Sequence, residues 1–162
     1  MTDPPASPEP SDSDIENLLL QTAPQRWETL GAAVDALLQE REYLTWDGGQ
    51  QVDTVVVDGV ERPVVQLPYA VYTYATERVL DAYRALGIIV AFAWPEWDGI
   101  DRYRGPTALD SAPVADAVRM MTAIIRSERF SEGSIGGGLE EGTMFAALRR
   151  LRRWHEGERD SH

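Results

Sequence analysis

Apolar positions recur at helical spacing along most of this chain and alternate like a strand in one stretch. Trp27, Leu30, Val34, Leu37 and Leu38 mark one face of a helix running to about Arg41. Thr22 and Gln25 have the spacing of a capping box, and Pro24 is tolerated in a first turn. Upstream, Ile15, Leu18 and Leu19 predict one or two short helical turns. Tyr72, Ala75, Val79, Tyr83 and Leu86 give a second helix over about 70–86, ended by Gly87. A third begins near Ser111, carries Pro113 in its first turn and runs to about Ser127, with Val114, Val118, Met121 and Ile125 inward. The last is capped by Thr143 and reaches Trp154, burying Met144, Phe145, Leu148 and Leu151.

Between the first two helices the period changes. Tyr43 to Trp46 predicts a short strand closed by the Asp47-Gly48-Gly49 turn. Val55 to Val57, Asp58-Gly59 and Val60 to Val65 form a hairpin signal, because Asp-Gly suits a two-residue turn whose twist matches the strands. Pro63 lacks a donor and belongs on an edge. A lone hairpin is marginal in water, so the helices are its expected support. Ile88 to Phe92 reads as a short buried strand, and 98–110 as a polar loop. The fold class is therefore α+β, mainly helical with about four helices and a short hairpin or small sheet. One globular domain spans 14–156, between a disordered acidic tail (1–13) and a disordered C-terminus (157–162).

Composition removes many chemistries. The chain has no cysteine, and all 15 basic residues are arginine. Thiol nucleophiles, zinc ribbons, a Walker lysine and a Schiff base are excluded. Histidine occurs only as His155 and His162, so neither a triad nor His-based metal spacing stands out. No metal or cofactor is implied, and an enzyme built from carboxylates or tyrosines is a minority reading. No apolar run approaches the ~18 residues of a membrane span, and the acidic start is unlike a signal peptide. The expectation is a soluble, cytoplasmic protein. Its net charge of −12 opposes nonspecific binding to nucleic acid. Residues 1–61 hold 13 acids against Arg26 and Arg41, whereas 119–153 hold seven arginines against four acids.

Four features invite a functional reading. Gly136-Gly137-Gly138 lacks the following Gly-Lys-Ser/Thr of a phosphate loop, so a turn or a close approach of two helices is the better account. Asp98 and Asp101 lack the alternating acids and closing glutamate of a calcium loop. Residues 112–154 could form a helix-turn-helix in which Arg149, Arg150 and Arg153 meet nucleic acid. Against that, these arginines lie at the helix C-terminus, where the macrodipole favours cations in any case. Finally, Trp46, Tyr69, Tyr72, Trp94 and Trp97 are flanked by Gly and Pro, the context of loops. Arg126, Arg129 and Glu132 surround Phe130, where an anion could meet the Gly133-Ser134 amides, unless those groups simply pair with neighbours.

In order along the chain stand Trp46-x-Gly48-Gly49, Pro68-Tyr69-x-x-Tyr72 and Phe92-x-Trp94-x-x-Trp97. Arg119-x-Met121-Thr122-x-x-x-Arg126-x-x-Arg129-Phe130-x-x-Gly133, Leu139-x-x-Gly142 and Leu148-x-x-Leu151 follow. This ordered set resembles a bacterial domain family of unknown function, over roughly residues 30–152. The resemblance implies a single domain and supplies no activity, cofactor or catalytic residue. The functional expectation is a noncatalytic interaction or regulatory module whose partner is another protein. Its candidate contacts are Trp46, Tyr69, Tyr72, Trp94, Trp97, Arg126 and Arg129. A DNA-binding regulator using 112–154 is the alternative.

Overall fold

A computed structural model describes residues 8–157. The parts of the expected tails at 1–7 and 158–162 lie outside the described residues. The chain enters as a strap: the Ala93 amide donates to the Glu9 carboxylate (2.7 Å) and Arg119 donates to the Pro10 carbonyl (3.3 Å). Helix α1 (Asp12–Gln21) follows, longer than its apolar triplet predicts. Its capping box is Ser11 with Asp14, each side chain bonding the other's backbone amide. Ile15 and Leu19 are buried, and the Arg119–Asp12 ion pair (2.7 Å) fastens the first turn.

Helix α2 (Pro24–Leu37) buries Trp27, Leu30, Val34 and Leu37 as its periodicity requires. Thr22 does not cap it. Ala23 holds the N-cap without a side-chain bond, and Thr22 instead closes α1, its hydroxyl reaching the Leu18 and Leu86 carbonyls. Strand β1 (Leu44–Asp47) pairs antiparallel with β4 (Tyr69–Tyr72), Leu44 opposite Tyr72 and Asp47 opposite Tyr69. Residues 69–72 are thus a strand rather than the start of the second helix. Helix α3 is Tyr74–Ala85, opened by Thr73, whose hydroxyl accepts from the Thr76 amide.

Strands β2 (Gln51–Val57) and β3 (Val60–Val65) form a separate two-stranded sheet, an arm inserted between β1 and β4. Its turn has Asp58 at φ 52° and Gly59 at φ 75°, the paired positive values of a type I′ turn. The arm does not lie on the helices. Every residue from Gln51 to Pro63 is exposed, and Val64 alone in the two strands is half-buried. The helices bury their apolar stripes mainly against one another instead.

The remaining helices number more than expected: among the described residues the fold has seven. Short α4 (Gly99–Arg102) lies within the stretch read as a polar loop, a 3-10 turn (Trp94–Glu96) precedes it, and 88–92 forms no strand. Helix α5 (Val114–Ser127) is the central post, with Val114, Ala115, Ala117, Val118, Met120, Met121 and Ala123 buried. Asp116 on it is buried but paired, accepting from Tyr103 and Arg119 at 2.8 Å each. The triple glycine lies inside helix α6 (Ser134–Glu140), not in a turn. A side chain at Gly136 would strike Leu44, and one at Gly138 would press on Ile124 at 3.2 Å, whereas Gly137 has open space. Close packing therefore overrides the poor helix propensity of glycine. Gly142 (φ 80°) then precedes α7 (Thr143–Glu156), so Thr143 is the first helical residue and not the cap.

Tyr83 is fully buried, and among the described residues its hydroxyl has no hydrogen-bond partner. A stranded polar group of this kind costs about 1–3 kcal/mol. Tyr83→Phe removes it at almost constant shape and is expected to raise stability by about 1 kcal/mol. Urea unfolding of the two proteins reads this directly; a loss of similar size would mean that the hydroxyl is satisfied.

Candidate functional site

The small β1–β4 sheet is held against the turn between α5 and α6 by two glutamates. Glu128 accepts from the Gly133 amide (2.9 Å), the Ile135 amide (2.8 Å) and the Tyr72 hydroxyl (2.7 Å). Glu132 accepts from the Ala70 amide (2.9 Å). Helix starts leave amides unpaired, and a carboxylate there satisfies them with the favourable sign of the dipole. Burial first, and then the Glu128 carboxylate, hold the Tyr72 phenol well above the usual range. Gly133 adopts φ 87°, which turns the chain into α6, and the Trp46 ring lies 2.7 Å from where its Cβ would be.

This geometry answers the expected anion pocket. The Gly133 amide belongs to Glu128, and the Ser134 amide bonds the Ser131 carbonyl (3.2 Å). No free amide pair is left for a ligand there. Glu128 is the residue that sequence reasoning missed. Its position five and seven residues before its two amide donors was the only signal, and it reads as nothing until the turn is folded.

The turn leaves a distinct outer face. Phe130 is 82% exposed and Trp46 56% exposed. The Trp94 ring, half-buried, packs on Phe130 with centroids 6.2 Å apart. Arg126 and Arg129 precede Phe130 by four and one residues, both exposed. Among the described residues neither guanidinium has an ion-pair or hydrogen-bond partner. Tyr69 is at the edge, its hydroxyl on Asp47 (3.2 Å), whose bond and charge raise the phenol's pKa.

The other aromatic candidates sit elsewhere. Tyr72 is half-buried beneath the sheet, bound to Glu128. Trp97 packs on the core against Phe92 and Tyr103, and its ring fills the space beside Gly99. The C-terminal arginines are turned inward onto the 106–112 loop. Arg149 donates to the Pro106 carbonyl and to Asp110, both at 2.6 Å. Arg150 donates to the Ala112 carbonyl (2.8 Å), and Arg153 to the Asp110 carbonyl. Arg149 beside Asp110 holds that carboxyl below its usual range.

Away from the outer face a concavity of about 680 Å³ runs between α2 and α7 over Trp27, Val34, Leu38, Phe145 and Leu148. Arg152 bridges the two helices beside it, bonding the Gly31 carbonyl (2.8 Å) and Asp35 (3.0 Å). Among the described residues no group of three or more His, Asp or Glu side chains is placed to hold a metal ion. No helix there is long and apolar enough to cross a membrane. A family model described as a family of unknown function (DUF6508) matches residues 22–157. No curated protein and no solved structure matches the chain.

Proposed function

The chain belongs to this family of unknown function, and from that premise we propose a noncatalytic module that captures another protein through its outer aromatic face. The observation that carries this reading is Arg126 and Arg129, whose side chains are unpaired among the described residues beside the exposed Phe130 ring, in a chain of net charge −12. Among the described residues the Arg41 and Arg62 guanidinium groups lack such partners too, and it is the exposed ring next to them that sets Arg126 and Arg129 apart. The macrodipole of α5 accounts for cations at its end, but it does not account for Phe130 in water. Arginine beside aromatic rings is the composition of interface hot spots. The partner that fits is an acidic segment with an apolar side chain for the Trp94–Phe130 pair.

The DNA-binding alternative gains no support from the position of Arg149, Arg150 and Arg153. Reading nucleic acid with them would first break their bonds to the 106–112 loop.

Anisotropy of a labelled peptide alternating glutamate with leucine and tryptophan tests the proposal. Binding is expected to weaken with salt and to fall at least about tenfold in Arg126→Glu/Arg129→Glu, as loss of a hot-spot pair implies. Phe130→Ser is expected to weaken it as well while leaving the melting temperature unchanged. Equal binding by all three proteins removes the face from consideration. Binding of a mixed-sequence duplex that Arg149→Glu abolishes would put the DNA reading in its place.

A further inference from the structure

The arm is a piece of β-structure left open. Its two-residue turn makes Val57 and Val60 the closing hydrogen-bonded pair, so the ladder bonds also fall on Val55 with Arg62 and on Asp53 with Val64. Thr54, Val56, Glu61 and Pro63 therefore turn their backbone groups outward. On β3 that edge is blocked, because Pro63 has no N–H to give. On β2 it is open at Val56, and at Thr54 the amide is covered only by the neighbouring Asp53 carboxylate (2.7 Å), which the pairing proposed below would release. Val52, Val55, Val56, Val57, Val60 and Val65 all stay in water, Val56 at 67% exposure. Among the described residues, ten of the fifteen exposed large apolar side chains lie between Trp46 and Val71, so the apolar surface is concentrated here.

We propose that β2 pairs antiparallel with β2 of a second copy of this chain, about a two-fold axis at Thr54, making a four-stranded sheet in the order β3-β2-β2-β3. In this register Thr54 faces Thr54, and Val56 faces Val52 of the other copy, both favourable cross-strand pairs. Asp53 faces Val55, so no acid meets an acid. Arg62 then lies in one row with Val55 and, beyond it, Asp53 of the second copy. The two strand spacings separate their Cα atoms by about 10 Å, within reach of an arginine and an aspartate side chain. Neither Arg62 nor Asp53 has an ion pair within its own chain among the described residues. The two-fold supplies that charge match twice.

Stability points the same way. A two-stranded ribbon is marginal in water, whereas three or more strands with an apolar face are not. The β-bulge at Val52, where the register shifts between Gln51 and Asp53, ends the pairing and limits slippage. The charge of −12 on each copy is not an obstacle. Seven residues of β2 extend for roughly 23 Å, so pairing through the arms keeps the bodies farther apart than the ~8 Å screening length at physiological salt. Association is accordingly expected to change little as salt rises above the physiological range, unlike the peptide binding described above.

The chain has no cysteine, so a single introduced thiol gives a clean reading. Hydrogen-bonded antiparallel partners have Cα atoms about 5.5 Å apart, inside the disulfide range. The full chain carrying Thr54→Cys is expected to form a disulfide-linked dimer at least about tenfold faster than the Val57→Cys control, a ratio set by that proximity. The mass in solution without oxidant is expected to be twice the 18.1 kDa of one chain, and Val56→Lys is expected to return it to one. Val56 is exposed, so that variant keeps the monomer fold, which its melting curve checks. A single-chain mass at all concentrations to about 100 μM overturns the proposal, since dimers weaker than that carry little free energy. A dimer that Val56→Lys leaves intact, or that Thr54→Cys fails to capture, overturns it too. Loss of peptide binding in Arg126→Glu/Arg129→Glu bears on neither result, which keeps the two surfaces separable.

Discussion

Glu128→Ala is expected to destabilise the protein by about 3 kcal/mol, because one carboxylate satisfies two backbone amides and a phenol at a half-buried site. Removing it leaves three donors facing a space that water fills poorly. Loss of the bond to Tyr72 also frees β4 from the end of α5, leaving only the long bond from the Gly136 amide to the Tyr72 hydroxyl (3.4 Å), so the β1–β4 sheet is expected to loosen before the helices do. Amide exchange at Ala70 and Tyr72 should rise more than at α5. Glu128→Gln keeps an acceptor oxygen and is expected to recover part of the loss. Its pH behaviour has a sign. The folded pKa of Tyr72 is raised, so the stability it reports is complete below the unfolded phenol value of about 10 and disappears as pH climbs through the higher folded value. Tyr72→Phe is therefore expected to be less stable near neutrality and flatter at alkaline pH. A urea midpoint for Glu128→Ala within error of the parent would show that Glu132 and packing hold the sheet alone.

Gly133→Ala is expected to cost about 2–3 kcal/mol, since an L-residue at positive φ is strained by about 1–2 kcal/mol and the added methyl must also move a ring. Gly133 sits at φ 87°, and the obstructing atoms are those of Trp46, the ring that shares the outer face with Phe130. The substitution should thus couple stability to function. Trp46 fluorescence is expected to shift red as the ring is pushed into water, and peptide binding to weaken in parallel. The same methyl at Gly137, which meets no atom within 4 Å and has ordinary helical φ, provides the contrast. If Gly133→Ala unfolds like the parent, the turn has another conformation and the close Trp46–Gly133 packing is not its anchor.

These sites differ in how far the sequence announces them. The helices at 24–37, 114–127 and 143–156 follow from spacings of three and four between apolar residues, because a helix meets its own neighbours within one turn. The arm's turn follows from Asp58-Gly59, since positive φ is a property of those two residues. Residues 69–72 fail the same treatment. Their spacing suits a helix, and only β1, more than twenty residues earlier, makes them a strand. The triple glycine is legible in half: the run is not a turn, but the close approach of two helices that it also suggests is met at Gly138 against Ile124, and Leu44 crowds Gly136 in the same way.

The same division holds for the candidate site. Aromatic and arginine residues can be picked out by type, but exposure separates Trp46 and Phe130 from Trp97, and it is settled by what lies above each ring. Arg149, Arg150 and Arg153 look like a binding stripe until the 106–112 loop folds beneath them. By itself the sequence determined the helical frame, the arm and its turn, the acidic character and the excluded chemistries. Tertiary structure alone decided that the arm stands clear, that Glu128 fills the amide site, and which arginine side chains are unpaired among the described residues. Periodicity and turn chemistry are set by residues a few positions apart, whereas burial and pairing depend on contacts across the chain that no local interval encodes.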